Sequence, residues 1–247
     1  IDLGKSDNFS PSEHVNRMYD VESIDYLIIS HPDQDHLLDL PNFLRSFGDP
    51  RVIRKNGTLP PNEKYGDMSL EYMRQFKRLD TNFKSNIDWA CNPRNPKNNG
   101  GIEYLIECNT YSNNVTGNDT SLMVMVLYHG LLLVCPGDIE PSGWTLLWNK
   151  KGSEFEGLIQ RSKTRVLVAP HHGRKSGYSQ HMMGFVNPHL VIISDIWGDS
   201  ETHPKFRENP LGIIQNGQNL KYFSTKRNGR VEIKESAYFG FEFHQHE

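Results

Sequence analysis

Short apolar runs that end directly in histidine or aspartate are the feature of this chain that most limits its fold. The runs cover residues 26–30, 131–135, 165–169 and 190–194, and they lead into HPDQDH, PGD, PHHG and Asp195. Runs of this length and composition are typical of buried strands. Functional residues of α/β proteins gather where such strands end. We therefore expect an α/β fold with largely buried sheets and functional residues at the strand ends.

The remaining patterns predict helices and further strands between these runs. Helices are expected within residues 37–47, 67–83, 142–149 and 157–162. Residues 102–108 alternate like a strand, and residues 122–128 and 131–135 form two strands around His129-Gly130. Residues 222–225 and 231–234 are expected to pair around Asn228-Gly229, which is a hairpin turn signal.

Composition and charge exclude several classes of protein. The 247 residues suffice for one large domain or two small ones, and the net charge of −3 excludes a uniformly basic protein that coats nucleic acid. No run approaches the roughly 20 apolar residues that span a bilayer, and no signal peptide is evident. Three cysteines do not make a disulfide framework, so we predict a reducing, cytoplasmic location. The chain begins on Ile1 without an initiator methionine, so we expect a missing opening or a larger parent protein.

Residues 31–36, His-Pro-Asp-Gln-Asp-His, carry the densest group of metal-ligating side chains. Four ligand types lie within six residues directly after a predicted strand, and they are His31, Asp33, Asp35 and His36. Imidazole and carboxylate together suit Zn, Mn or Fe. The alternative interpretation is a solvated turn with helix-capping aspartates.

Three later segments offer groups that fit the same kind of site. Gly137-Asp138 follows an apolar strand, His171 and His172 follow another, and His203-Pro204 comes soon after a third. Taken alone, Gly-Asp is a common turn, and a lone histidine such as His203 is as often structural as functional. Arg174, Lys175 and Ser176 stand next to the histidine pair, as substrate-binding groups or as plain surface residues.

These pieces, in this order, resemble the metallo-β-lactamase superfamily, and within it the ComEC/Rec2-type (competence protein) metallohydrolase domain. The matching features are HPDQDH, with aspartate at the position of the second histidine, the Gly137-Asp138 hairpin end, His171-His172-Gly173, and His203-Pro204. The likeness runs from Ile1 to about residue 234. It implies a single domain over residues 1–247, a four-layer αββα sandwich, with a divergent insert around residues 49–118. The first strands of the family are absent from this sequence or were not included in it.

The resemblance also implies which residues bind metal. His31 and Asp33 would hold one ion, Asp35 and His36 the second, Asp138 would bridge them, and His172 or His171 would complete the second position. Asp35 would also orient the nucleophile. Asp2, in an apolar-Asp-x-Gly string, is similar to the family's buried aspartate that orients the metal loop. Two divalent ions are therefore expected, Zn or Mn, with Mg as a third option.

The sequence departs from the wider family pattern at one ligand. The family has a further histidine between the first motif and the bridging aspartate, and here the only histidine in that interval is His129, in a predicted turn. Asn118 or Asp119 could substitute for it. A site with fewer histidines and more carboxylates shifts the preference from Zn toward Mn or Mg.

The resemblance implies a metal-dependent hydrolase that cleaves phosphodiester bonds through a metal-activated water, most simply a nuclease acting on DNA during uptake or defence. Arg174, Lys175 and Ser176 would contact the substrate, and His203 would donate to the leaving group. One alternative is a small-molecule phosphodiesterase or esterase acting on phosphorylcholine or a cyclic nucleotide. For choline, tryptophans are available to build an aromatic cage, namely Trp89, Trp144, Trp148 and Trp197. Another alternative is a degenerate module that binds a partner protein.

Overall fold

The computed structural model describes residues 1–83, 91–115, 117–194, 201–236 and 240–246, and the chain divides into two compact units. Unit 1 comprises Ile1–Gly101 and Thr110–Leu122, and unit 2 comprises Ile102–Asn109 and Met123–Glu247. Both strands and helices occur in each unit. The α/β class predicted from the sequence is therefore confirmed.

Unit 1 consists of helices around a short parallel strand pair. Its helices are α1 (Pro11–Tyr19), α2 (Gln34–Leu37), α3 (Leu40–Phe47), α4 (Pro61–Lys64) and α5 (Glu71–Asn82). Its strands β1 (Tyr26–Ile28) and β2 (Val52–Arg54) pair with Leu27 opposite Ile53. The core forms where Phe43 and Phe47 of α3 meet Phe76 and Leu79 of α5. Most of the helix predicted over 37–47 is α3, with residue 37 at the end of α2, and the helix predicted within 67–83 is confirmed as α5.

A buried ion cluster holds α5 in unit 1. The carboxylate of Asp80 lies 3.0 Å from Nζ of Lys55 and 3.4 Å from Nζ of Lys64, and the side chains of all three residues are at most 15% exposed. Tyr65 donates its hydroxyl hydrogen to the same carboxylate. Burial and the neighbouring carboxylate raise the pKa of Tyr65 to about 12. Because its charges are paired and hydrogen-bonded, the cluster avoids the cost of a lone buried charge.

Unit 2 is built on a six-stranded mixed sheet. In chain order its strands are β3 (Glu103–Glu107), β4 (Met123–Tyr128), β5 (Leu131–Cys135), β6 (Thr164–Val168), β7 (Leu190–Ile193) and β10 (Tyr222–Ser224). Their order across the sheet is β10, β7, β6, β5, β4, β3. The pairs β10–β7, β7–β6 and β6–β5 are parallel, and the two remaining pairs are antiparallel. Parallel β5, β6 and β7 therefore end at the same edge, which brings the residues that follow them together.

Helices and two hairpins complete unit 2. The helices are α6 (Pro141–Arg161), α7 (Gln180–Val186), α8 (Lys205–Glu208) and α9 (Thr225–Asn228). The hairpins pair β8 (Ile213–Gln215) with β9 (Gln218–Leu220), and β11 (Arg230–Ser236) with β12 (Gly240–His246). The helices in the described ranges are all too short or too polar to cross a membrane.

Two sequence predictions in unit 2 are wrong. The helices expected at 142–149 and 157–162 are one continuous helix, α6, because Trp144, Leu147, Phe155 and Leu158 fall on one face at helical spacing and are all buried. Gly152 does not interrupt it; a Cβ there would meet the indole of Trp148 at 3.1 Å.

The expected hairpin around Asn228-Gly229 is also wrong. Residues 222–224 form β10, which pairs with β7, and β11 pairs with β12. The intervening residues form α9, which ends at Gly229 with a φ of 62°. Glycine tolerates this left-handed conformation, so the same dipeptide that favours a hairpin turn can also end a helix. The hairpin of 122–128 with 131–135, by contrast, is confirmed as β4 and β5.

Candidate metal centre

Unit 1 gathers the first candidate ligands in the loop between β1 and α2. His31 and His36 are buried, at 3% and 5% exposed, and their ring centroids lie 4.1 Å apart. Asp33 and Asp35 are largely exposed at the rim of the loop. The loop therefore presents two buried imidazoles beside two solvent-facing carboxylates, which is a combination that suits a divalent cation.

Hydrogen bonds around Ser30 fix which nitrogen of each imidazole carries the proton. Asp2 accepts from the Ser30 hydroxyl at 2.8 Å and from Nδ1 of His36 at 2.9 Å. Because the Ser30 hydroxyl donates to Asp2, its oxygen accepts from Nδ1 of His31, at 3.1 Å. Both histidines then carry their protons on Nδ1. Each Nε2 therefore has the lone pair that a metal ion requires.

The segment that carries Asp2 is tied closely to this loop. The amide of Asp2 donates to the carbonyl of Ile28 at 2.8 Å, and the amide of Leu3 donates to that of His36 at 2.9 Å. Gly4 permits the approach, since a Cβ there would lie 2.7 Å from the carbonyl oxygen of Asp35. Asp2 has a φ of 54°, in the left-handed region that aspartate tolerates better than most residues. The apolar-Asp-x-Gly string is thus part of the site's scaffold.

The charge of Asp2 is stabilised although the residue is buried. Burial alone would raise its pKa, but the hydrogen bond from His36, together with that from the Ser30 amide, lowers the pKa below the ordinary aspartate value. The Ser30 amide donates to Asp2 at 2.6 Å. Asp2 is therefore ionised at neutral pH and accepts from His36, as the assigned tautomer requires.

Unit 2 gathers the second group of candidate ligands at one edge of its sheet. Asp138 follows β5, and His171 and His172 follow β6. Oδ2 of Asp138 lies 3.8 Å from Nε2 of His171 and 3.7 Å from Nε2 of His172. Asp138 is 5% exposed, and the histidines are half-buried. The parallel strands therefore place one carboxylate between two imidazoles.

An unusual backbone turn aims the two imidazoles of unit 2. His171 and His172 have φ values of 49° and 55°, although neither is a glycine. Such conformations cost of order 1–3 kcal/mol each and persist where surrounding contacts enforce them. The amide of His171 donates to the Gly137 carbonyl at 3.1 Å, and Gly177 packs so closely that a Cβ would lie 2.5 Å from the Pro170 carbonyl oxygen. Neighbouring backbone thus enforces the turn.

The tautomer of His172 is fixed in the same manner as that of His36. Its Nδ1 donates to the backbone carbonyl of Ser194 at 2.8 Å. The lone pair of the neutral ring is therefore on Nε2, the atom that faces Asp138. The sequence does not indicate this role of Ser194, because every residue type has a backbone carbonyl that can accept a hydrogen bond. Nor does it indicate Glu140, whose carboxylate lies 3.4 Å from Nδ1 of His171.

The distances within each cluster agree with shared coordination. Two atoms bound to one zinc ion at about 2.1 Å in a tetrahedral arrangement lie about 3.4 Å apart. In unit 1, Nε2 of His31 is 3.5 Å from Asp33, and Nε2 of His36 is 3.9 Å from Asp35. The histidine–aspartate pairs of unit 2, at 3.7 and 3.8 Å, are similar. Asp35, His36, Asp138 and His172 are side chains of the kind that could hold a metal ion.

The predicted substrate-binding residues follow the histidine pair in unit 2. The Arg174 guanidinium lies 3.3 Å from Nε2 of His171, and the Ser176 hydroxyl lies 3.0 Å from Nδ1 of the same ring. Lys175 is exposed. Arg174 and Ser176 therefore adjoin a candidate ligand, and Lys175 adds positive charge to the same turn.

His203 also lies in unit 2 and is stacked on an aromatic ring. Its imidazole is parallel to the Tyr178 ring, with centroids 3.9 Å apart. Burial, and then the positive charges of Lys205 and Lys175, lower its pKa below the ordinary histidine value. Its Nδ1 accepts from the amide of Lys205 at 3.3 Å. His203 is therefore neutral at pH 7, with its proton on Nε2.

The residues considered in place of the family's further histidine ligand lie in different units. Asn118 and Asp119 lie half-buried in a 3-10 turn (Gly117–Thr120) of unit 1. Leu122, just beyond this turn, donates its amide to the Ser30 carbonyl at 2.8 Å. His129 lies in the β4–β5 turn of unit 2, where its Nδ1 is 2.5 Å from the Glu235 carboxylate. Because Tyr128 pairs with Leu131, His129 lies in a two-residue turn, as the sequence predicts.

The comparisons with known proteins identify the family. Residues 15–185 match the model of the metallo-beta-lactamase superfamily, so the chain belongs to that superfamily. The fold and family predicted from the ordered motifs are thereby confirmed. Membership indicates a metal-dependent hydrolase, since members generally bind divalent ions, typically Zn.

A curated relative agrees with the narrower resemblance. The chain is 21% identical over 220 residues to ComE operon protein 3 of Bacillus subtilis (strain 168). The match covers 87% of this chain and 25% of that protein. The chain thus spans about a quarter of the length of the relative it matches.

Proposed function

We propose that this chain hydrolyses phosphodiester bonds of nucleic acid, with DNA as its substrate and two divalent ions as its cofactors. The observation that carries the proposal is that His36 and His172 each donate Nδ1–H to a fixed acceptor, and so present Nε2 as a ligand atom. The donor set fits divalent ions because it combines neutral imidazoles with ionised carboxylates. The residues that would bind metal are His31, Asp33, Asp35 and His36 in unit 1, and Asp138 with His172 or His171 in unit 2. When bound, such ions lower the pKa of a water and stabilise the charge of a phosphodiester.

The chain's own residues supply the orientation and the remaining charge. Asp35, exposed and 3.9 Å from His36, accepts a hydrogen from the attacking water and orients it. Arg174 and Lys175 offset the negative charge of the phosphate, and Ser176 holds His171 in place. His203, neutral with its proton on Nε2, donates to the leaving oxygen.

DNA is proposed as the substrate on the likeness to the ComEC/Rec2-type domain. Residues 49–118 differ most from that family, and we propose that they influence which substrate is accepted. The choline alternative has less support, because Trp144 is 1% exposed and packs with Trp148 against Phe155. Trp144 belongs to the core of unit 2 and Trp148 is partly buried against it, so the two indoles do not form an open cage. Trp89 and Trp197 lie outside the described residues.

The direct test is cleavage of single-stranded and double-stranded DNA and RNA with added Mn²⁺ or Zn²⁺. We expect the wild-type protein to shorten DNA and His36→Ala to lose this activity while keeping its circular dichroism spectrum. His129→Asn is the matched control, since it removes an imidazole that contacts Glu235 instead of the clusters. Equal cleavage by wild type and His36→Ala would refute the assignment. Cleavage of small diesters alone would replace nucleic acid as the substrate.

A further inference from the structure

Tyr178 and His203 form a stacked pair of rings in unit 2. The two rings are nearly parallel, with an angle of 5° between their planes, and their centroids lie 3.9 Å apart. Both side chains are half-buried, so solvent reaches part of the pair. The amide of His203 donates to the carbonyl of Gly173 at 2.9 Å, and Gly173 directly follows His172. The stacked pair therefore adjoins the turn that carries two candidate ligands of unit 2.

The Tyr178 ring is held in place by contacts of its own. Its hydroxyl donates to Oε1 of Gln180 at 2.9 Å and accepts from Nδ2 of Asn209 at 3.3 Å. Phe206, which is 1% exposed, meets the ring at 76° with the two centroids 5.3 Å apart. Such a perpendicular contact is a favoured arrangement of two aromatic rings. Tyr178 is therefore a fixed flat surface against which the imidazole of His203 lies.

The stack and one hydrogen bond together fix the direction of the N–H group of His203. Nδ1 accepts from the amide of Lys205 at 3.3 Å, so the neutral ring carries its proton on Nε2. Because Nδ1 is occupied, Nε2–H is the donor that the ring can offer to a substrate. Rotation of the imidazole about its Cβ–Cγ bond would break the parallel contact with Tyr178. The stack therefore restrains the rotation that would turn Nε2–H away.

We infer that Tyr178 is a positioning residue, which aims Nε2–H of His203 at the leaving oxygen of the phosphodiester. The inference rests on the proposed function for the reaction. As the phosphorus–oxygen bond breaks, its electron pair stays on the leaving oxygen, and the hydrogen bond from Nε2–H stabilises the developing charge. The product alcohol then takes its proton from solvent water. A donor of this kind must be precisely placed, since a displacement of about 1 Å can cost about 100-fold in rate.

Three substitutions separate the flat face of Tyr178 from its hydroxyl and from tyrosine–histidine stacking in general. Tyr178→Leu removes the flat face, and Tyr178→Phe keeps it. The matched control is Tyr128→Leu, which breaks a second stack in unit 2, that of Tyr128 on His129 at 4.0 Å and 17°. We expect Tyr178→Leu to lower kcat for DNA cleavage about tenfold with KM within about twofold of wild type, because the lost contact acts only in the transition state. Tyr178→Phe and the control should stay within about threefold of wild type.

A substrate with sulfur in place of the leaving oxygen distinguishes positioning from general damage to the fold. A thiol has a pKa of about 8.5, far below that of an alcohol, so a thiolate leaves without help from a hydrogen-bond donor. Tyr178→Leu should therefore cleave this oligonucleotide within about twofold of the wild-type rate. Equal losses on the oxygen and sulfur substrates would overturn the inference, because they would show that Tyr178 only supports the fold.

A double substitution tests whether Tyr178 acts through His203. His203→Ala should show the same preference for the sulfur substrate, and Tyr178→Leu/His203→Ala should be no slower than His203→Ala alone. Losses that add in the double variant would contradict an action through His203.

Nuclear magnetic resonance checks the stack in metal-free protein, without catalysis. The Hε1 signal of His203, assigned by its absence from the spectrum of His203→Ala, should be shifted upfield by the Tyr178 ring in wild type and Tyr178→Phe. It should lose this shift in Tyr178→Leu, and an unchanged signal there would overturn the inference. Failure of the proposed function is recognised separately, since the wild type would then not cleave DNA with metal added. Cleavage by Tyr178→Leu at the wild-type rate would overturn the inference alone.

Discussion

The substitution Asp2→Asn tests whether Asp2 prepares His36 for metal binding. Asp2 accepts three hydrogen bonds, from the Ser30 amide at 2.6 Å, the Ser30 hydroxyl at 2.8 Å and Nδ1 of His36 at 2.9 Å. Asparagine has the same shape and can keep the bond to the amide through its oxygen. Its NH₂ group would then face the hydroxyl and Nδ1–H, both of which are donors. His36 avoids this donor–donor contact if its proton moves from Nδ1 to Nε2. Nε2 then has no lone pair with which to bind a metal ion.

The expected magnitude follows from the loss of this orienting contact. Removing a partner that fixes a ligating histidine typically costs 10- to 100-fold in metal affinity, which is about 1.4–2.7 kcal/mol. Isothermal titration calorimetry of chelator-treated protein with Mn²⁺ or Zn²⁺ measures this change. Asp25→Asn is the matched control, since its carboxylate is exposed and lies 3.8 Å from Arg51, which is not a candidate ligand. An affinity within about twofold of wild type in folded Asp2→Asn would show that Asp2 does not prepare His36 for metal binding.

Three further predictions address stability and the unit 2 turn. Asp80→Ala leaves the largely buried Lys55 and Lys64 without their carboxylate and should lower the free energy of unfolding, measured by urea denaturation, by about 3–5 kcal/mol. The control Glu154→Ala breaks an exposed pair with Lys151 and should lower it by less than about 1 kcal/mol. Gly177→Ala forces a Cβ to 2.9 Å from that of His171, so cleavage should fall with little loss of helicity; wild-type activity would contradict the role of this turn. Burial lowers the pKa of His189, so the neutral ring stabilises the fold above the unfolded pKa of about 6.5, and this stabilisation is lost as the pH falls. The variant His189→Gln should therefore show a smaller decline in melting temperature between pH 7 and pH 5 than the wild type. An equal decline in both proteins would refute this role of His189.

The sequence predicted the parts of the fold that depend on local pattern. The apolar runs ending in His31, Asp138 and His171 became strands of the expected type, because burial on both faces requires continuous apolar residues. The β4–β5 hairpin was predictable for the same reason. The order of the motifs along the chain was sufficient to indicate the family, which the match over residues 15–185 confirms.

Features that depend on distant contacts were not predictable. The pairing of β10 with β7 joins residues about 30 positions apart, and nothing in the Asn228-Gly229 turn signal reports it. The short helix α1 was missed although Ser10 caps it and Pro11 begins it, since its apolar residues are few. At the site, the acceptors that fix the imidazoles include the backbone carbonyl of Ser194, which residue type cannot reveal.

The most direct test of the proposed function couples metal occupancy to catalysis. Chelator-treated protein is titrated with Mn²⁺ while bound metal and cleavage of a fluorescent single-stranded DNA are followed together, for wild type and for Asp138→Asn. We expect cleavage to rise with occupancy, to saturate at about two ions per chain, and to be lost in Asp138→Asn. Undiminished cleavage in the chelated protein, or no cleavage of DNA at full occupancy, would contradict it.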